Sequence, residues 1–124
     1  MKRVTGLGGI FFKAKDPKAM YEWYRKHLGI EAAEGCGAMW EMNGPPQTPA
    51  INVWALFPED TKYFAPSQAP FMINFRVENL DELLKALREE GVQVDDKVEH
   101  YDYGNFGWIT DPEGNRVELW EPKG

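Results

Sequence analysis

Two stretches of this chain repeat one pattern of apolar and polar positions. Gly9 to Gly29 reads GIFFKAKDPKAMYEWYRKHLG, and Met72 to Gly91 reads MINFRVENLDELLKALREEG. Each opens with the alternation of a half-buried strand, breaks at a short polar residue (Asp16 or Asn79), takes up a helical period and stops at a glycine. A shift of 63 residues lays Gly9 on Met72, Phe11 on Asn74, Lys13 on Arg76 and Asp16 on Asn79. Asp16 and Asn79 suit helix N-caps, Pro17 suits a first helical position, and Gly29 and Gly91 suit helix stops. Met20, Trp23, Tyr24, His27 and Leu28 form the apolar stripe of the first helix, with Trp23 and Tyr24 expected in the core; Leu80, Leu83, Leu84 and Leu87 form that of the second.

Strand-like material follows each helix. In the second half it lies near 92–99, 105–110 and 116–121, and in the first half near 30–33, 38–42 and 51–57. Each half therefore reads as strand, helix and three strands. Pro58 to Pro70 (PEDTKYFAPSQAP) is rich in turn residues and reads as the linker between them. TGLGG near the start lacks the spacing and following helix of a dinucleotide loop, which excludes that reading.

The last hairpin carries the sharpest chemical signal. In NFGWITDPEGNRVELWEP, the turn Asp111-Pro112-Glu113-Gly114 joins two strands. Glu118 then sits between Val117 and Leu119. If those two face a core, Glu118 faces the other side of the sheet, as a metal ligand, an acid/base group or a rim charge.

Composition narrows the partners. A net charge of −6 argues against a nucleic-acid partner. The one cysteine, Cys36, rules out an internal disulfide and suits a reducing compartment; it reads as an exposed thiol. No apolar run is long enough for a bilayer and the N-terminus lacks a signal-peptide pattern, so a cytoplasmic location with no membrane partner is expected. The chain is rich in aromatics, the stock from which an apolar small-molecule pocket is lined.

The two βαβββ units, carried by KAKDPKAMYEWYRKHLGI, INFRVENLDELLKALREEGV and ITDPEGNRVELWEP, resemble the glyoxalase/bleomycin-resistance/extradiol-dioxygenase (vicinal oxygen chelate) superfamily over nearly the whole chain. The resemblance implies one α+β domain, residues 1–124, in which unit one (about 4–57) and unit two (about 71–122) curve a mixed sheet into a cup. It also implies a homodimer. In metal-dependent relatives, ligands come from the first and last strand of each unit. The matching positions here are Gly9, Ala55, Met72 and Glu118. Glycine and alanine have no donor side chain and a thioether suits the family's metals poorly, so no metal or other cofactor is expected.

Alternation sorts the residues of that cup. Gly9, Phe11 and Lys13, then Met72, Asn74 and Arg76, then Arg116, Glu118 and Trp120 share the cup face. Phe11, Met72 and Trp120 offer apolar walls, Asn74 an amide, and Lys13 and Arg76 cations beside Glu118, while Arg116 reads as a surface cation. Trp108, Tyr101 and Tyr103 stand near the mouth; the facing of Trp40 and Trp54 is ambiguous. His27 suits a helix C-terminus, and His100 lies at a strand end.

The expected function is binding of a small polar or anionic organic molecule through Phe11, Lys13, Met72, Asn74, Arg76, Trp108 and Trp120, with no metal, as in drug-sequestering relatives. The alternative is a lyase, isomerase or dioxygenase. It would use Glu118 as a general base, or as a metal ligand in a relocated site with His100 or Glu41. A third reading is an interaction module with a solid cup.

Overall fold

A computed structural model describes residues 3–33, 35, 37–41 and 51–123, without the side chain of Glu41. The elements are β1 (Val4–Ala14), α1 (Pro17–Leu28), β2 (Ala38–Glu41), β3 (Ile51–Pro58), β4 (Phe71–Val77), α2 (Leu80–Glu89), β5 (Gln93–Tyr101), β6 (Gly104–Thr110) and β7 (Arg116–Pro122). The strands form one mixed sheet in the order β2-β3-β1-β4-β7-β6-β5. The antiparallel pair β1–β4 joins the two units at its centre, and each unit closes with a parallel pair, β1 on β3 and β4 on β7.

The repeat is visible in the register. Phe11 lies beside Ala55 and Asn74 beside Glu118, equivalent pairs in the two units. Both helices begin as their caps dictate: Asp16 accepts from the Ala19 N–H at 3.1 Å and Asn79 from the Glu82 N–H at 3.3 Å. Gly29, in the left-handed region at φ 69°, ends α1, while α2 ends at Glu90 just before Gly91. The last turn closes with the Gly114 N–H on the Asp111 carbonyl, and the Asp111 carboxylate accepts from the N–H groups of Glu113 and Asn115.

Both helices lie on one face of the sheet. α2 buries Leu80, Leu83 and Leu84 against Val77 and Leu119. α1 buries Tyr21 against Ala14 and Leu56. A third cluster, Phe11, Ala55, Phe64, Met72 and Trp108, fills the concave opposite face.

Three expectations require correction. The strand near 30–33 is reduced to an isolated bridge between Ala33 and Gly37, so among the described residues unit one contributes three strands. Gly37, at φ 71°, packs so closely that a Cβ there would lie 2.2 Å from the Trp54 carbonyl oxygen. Two residues past Trp54, where the pairing with β2 ends, the Tyr21 hydroxyl donates to the Leu56 carbonyl (3.3 Å) and accepts from its N–H (2.8 Å), doing the work of a neighbouring strand. That contact turns Tyr21 inward and leaves Trp23 half exposed, with its ring on Tyr24 and His27. Trp54 belongs to the helix side, against Tyr21 and Tyr24, and Trp40 is exposed.

The third correction concerns Pro58 to Pro70. This segment is a strap across the cup, with Phe64 fully buried in the concave cluster and Tyr63 packed beside it. Its apolar content is too short to show a period, so the turn residues around it dominate the sequence signal.

Candidate functional site

The concave face is organised around one row. Asn74 on β4, Glu118 on β7 and Trp108 on β6 are direct register neighbours across three adjacent strands. Alternation along β7 puts Trp120 on the same face, beside Phe106. Phe11 and Met72, paired on β1 and β4, form the adjoining wall. The structure thus brings together Phe11, Met72, Asn74, Trp108, Glu118 and Trp120.

Glu118 is 2% exposed. Its Oε1 accepts a hydrogen bond from the Tyr63 hydroxyl at 3.2 Å. Burial pushes its carboxyl up to about 7; the Tyr63 hydroxyl, the Arg116 charge and Asn74 pull the other way, and Glu99 adds to the rise. The Tyr63 phenol is itself held well above its ordinary range, by burial and then by the neighbouring carboxylate.

Five polar atoms of residues on this face are buried with no hydrogen-bond partner among the described residues, one of them Arg116 Nε. The others are Glu118 Oε2, Asn74 Oδ1 and the indole nitrogens of Trp108 and Trp120. Buried polar groups are normally satisfied, so this face holds two unmet acceptors and three unmet donors. A bulge between Leu7 and Gly9 makes this arrangement possible. A Cβ at Gly8 would fall 1.9 Å from Asn74 Oδ1 and 3.2 Å from the Trp120 ring, so only glycine leaves room for both.

The expected cationic companions of Glu118 are engaged elsewhere. Lys13 Nζ lies 5.7 Å above the Phe64 ring. The Arg76 guanidinium donates to the Thr5 hydroxyl (2.9 Å) and carbonyl (3.1 Å) across the β1–β4 seam. Arg116 is no surface cation: its side chain is 10% exposed, with Nη1 2.8 Å from Asp95 Oδ2 and the guanidinium 5.1 Å above the Trp108 ring. No ion pair to Glu118 occurs among the described residues. A cleft of about 310 Å³ opens beside the cup, bounded by Ala65, Pro66, Asp95, Asp96, Thr110 and Arg116.

The donor set does not fit a divalent metal. Gly9 and Ala55 contribute no donor, Met72 lies in the apolar cluster, and Glu118 supplies one carboxylate. Among the described residues no three His, Cys, Asp or Glu side chains converge. The relocated site with His100 fails on geometry: His100 Nε2 points to Asp81 of α2 at 3.6 Å, on the face opposite Glu118. His27 sits exposed on α1 against Trp23. Cys36 and the side chain of Glu41 lie outside the described residues. Tyr101 and Tyr103 stack on each other at the far rim, against Phe106.

Sequence reasoning missed Tyr63, Phe64 and Gly8. The apolar pair in KYFAP and the glycines of TGLGG were the available signals, and neither has a period that reveals its facing.

Comparison with known proteins agrees with this architecture. No curated protein matches the chain in sequence. Among solved structures, a variant of methylmalonyl-CoA epimerase from Streptomyces coelicolor, in complex with 2-nitronate-propionyl-CoA, is 22% identical, with a TM-score of 0.71 over 98% of this chain and 99% of that one. Methylmalonyl-CoA epimerase from Mycobacterium tuberculosis is 24% identical, with a TM-score of 0.64 over 98% of this chain and 90% of that one. A glyoxalase/bleomycin resistance protein/dioxygenase superfamily member from Vibrio splendidus 12B01 is 10% identical, with a TM-score of 0.56 over 93% of this chain and 98% of that one. At these identities the likeness concerns the fold. The family model for the Glyoxalase/Bleomycin resistance protein/Dioxygenase superfamily matches residues 6–119. The chain belongs to that superfamily.

Proposed function

We propose that this protein binds a small polar organic molecule with an apolar or aromatic part in the cup around Glu118, without the divalent metal of its metal-dependent relatives. The observation that carries this reading is the set of unpartnered buried polar atoms on Asn74, Trp108, Glu118 and Trp120, side chains of one face that is otherwise walled by rings. Leaving each such atom unmet costs about 1–3 kcal/mol, which a ligand offering matching donors and acceptors offsets on entry. The strap carrying Tyr63 and Phe64 covers the cup, and the cleft between strap and β5–β6 supplies a route toward it. Entry then requires the strap to yield, which suits a segment outside the sheet ladder. Arg76 is bonded to Thr5, Arg116 is paired through Nη1 with Asp95, and Lys13 stands over the Phe64 ring, so the reading rests on the polar atoms of the cup rather than on a cation clamp.

A fragment screen by NMR that follows the indole N–H signals of Trp108 and Trp120 tests the binding. Fragments that move both signals are expected; a broad aromatic library that moves neither contradicts it. Elemental analysis of the purified protein tests the metal. A stoichiometric, tightly held divalent ion would overturn that part.

One observation favours a second reading. A carboxyl that titrates at about 7 is matched to proton transfer near neutral pH, the work of an isomerase or lyase with Glu118 as base. Incorporation of solvent deuterium into a panel of ketones and thioesters would reveal it. Under this reading Glu118→Gln lowers exchange by about 100-fold or more, and equal exchange by both proteins rules it out.

A further inference from the structure

The chemistry of the cup also selects its ligand, if it is a binding site as proposed above. Glu118 is a buried carboxylate whose neighbours are neutral, the Tyr63 hydroxyl on Oε1 and the Asn74 amide, while its Oε2 has no hydrogen-bond partner among the described residues. A carboxylate taken out of water is stabilised only by hydrogen bonds or an opposite charge, and here the opposite charge is not bonded to it. Arg116, the cation whose field reaches Glu118, is bound instead to Asp95.

The walls point the same way. Phe11, Phe57, Tyr63, Phe64 and Trp108 surround the site, and aromatic faces attract cations. The protein already shows this preference twice at Trp108, with Lys97 Nζ 5.6 Å and the Arg116 guanidinium 5.1 Å from its ring. In the adjoining cleft Asp95 is paired with Arg116 and Asp96 is left as the further carboxylate, and the whole chain carries −6, so the field favours approach of a positive molecule. An anionic ligand would meet a carboxylate and π faces, and the nearest cation, Arg116, is already ion-paired through Nη1 with Asp95.

We infer that the ligand of this cup is an organic cation, an amine or protonated nitrogen heterocycle of modest size. Glu118 holds its charge, and the rings of Tyr63, Phe64 and Trp108 enclose its apolar part. No metal and no covalent step is involved. Asn74 Oδ1 is the second acceptor for the N–H groups of such a cation, while the Trp108 and Trp120 indoles receive any acceptor it carries.

Three probes of one shape and different charge test this: benzylammonium, benzyl alcohol and benzoate. Each is titrated into the 15N-labelled full chain at neutral pH while the Trp108 and Trp120 indole signals are followed. Benzylammonium is expected to bind at least about tenfold more tightly than benzyl alcohol, with benzoate weakest. Glu118→Gln should remove that tenfold margin while keeping the thermal transition of a folded protein. Should Glu118→Gln not fold, Asn74→Leu supplies the second variant, expected to weaken benzylammonium more than benzyl alcohol. Benzyl alcohol or benzoate binding as tightly as benzylammonium, with the same indole signals moving, overturns the charge preference and leaves the binding proposal standing. No response to any of the three overturns the inference, and an equally silent fragment library overturns the binding proposal with it.

Discussion

A buried carboxylate without an ion-pair partner makes folding depend on pH in a direction opposite to most acids. Glu118 has a carboxyl near 4.5 when exposed and about 7 in the folded chain. Below 4.5 it is neutral in both states; between 4.5 and 7 the folded state holds a proton that the unfolded state has lost. Stability is therefore full at acid pH and falls as pH rises through that window, by about 3 kcal/mol from this group alone. The groups that set this balance are Tyr63, Arg116 and Asn74 on one side and Glu99 on the other. Glu118→Gln removes the ionisation, so it should stabilise the fold at pH 8 by on the order of 2 kcal/mol and show no such gain at pH 4. Urea titrations at the two pH values check this, and a destabilised variant at pH 8 would count against it. Tyr63→Phe deletes the donor to the charged form. It should lower stability at pH 8 by about 2 kcal/mol and raise the Glu118 midpoint further.

Elements in this chain were legible where the determinants are local. Asp16–Pro17 and Asn79 start the helices and Gly29 and Gly91 mark their ends, because caps and stops are set by a few adjacent residues. The strand near 30–33 was misread because its replacement is tertiary. The Tyr21 hydroxyl takes up the Leu56 backbone, and the tight packing of Gly37 on Trp54 fixes the return of the chain. The same contact rotates the α1 stripe and exposes Trp23, which no periodicity could reveal. Two stability measurements weigh these devices. Tyr21→Phe should cost about 2 kcal/mol by leaving the buried Leu56 N–H unmet. Gly37→Ala should cost about 3 kcal/mol or more, from its positive φ and the contact with the Trp54 carbonyl. A loss below about 1 kcal/mol in either would show that the edge of β3 is supported some other way.

Across the whole molecule the repeat builds two equivalent half-cups and gives them unequal contents. The facing of Phe11, Met72, Asn74, Glu118 and Trp120 was legible because strand alternation is rigid, whereas the metal positions came from the family resemblance. What fills the cup was not, because Tyr63 and Phe64 arrive from the strap between units. The engagement of Lys13, Arg76 and Arg116 was equally hidden, since Phe64, Thr5 and Asp95 are distant in sequence. Unit one has Gly9 and Ala55 where a metal centre would need donors; Ala55 packs among the rings, and a Cβ at Gly9 would fall 2.6 Å from the Val53 carbonyl oxygen. Added zinc, manganese or magnesium should therefore leave the thermal transition where it is, since only a ligand of the folded state raises it.

The proposed site stands or falls on Glu118, a buried carboxylate with no ion-pair partner among the described residues. A carboxyl 13C NMR titration of the purified protein reports on it directly. A midpoint near 7 for Glu118 is the predicted result. A midpoint at or below the ordinary 4.5, as a metal ion or a bonded cation would impose, contradicts it.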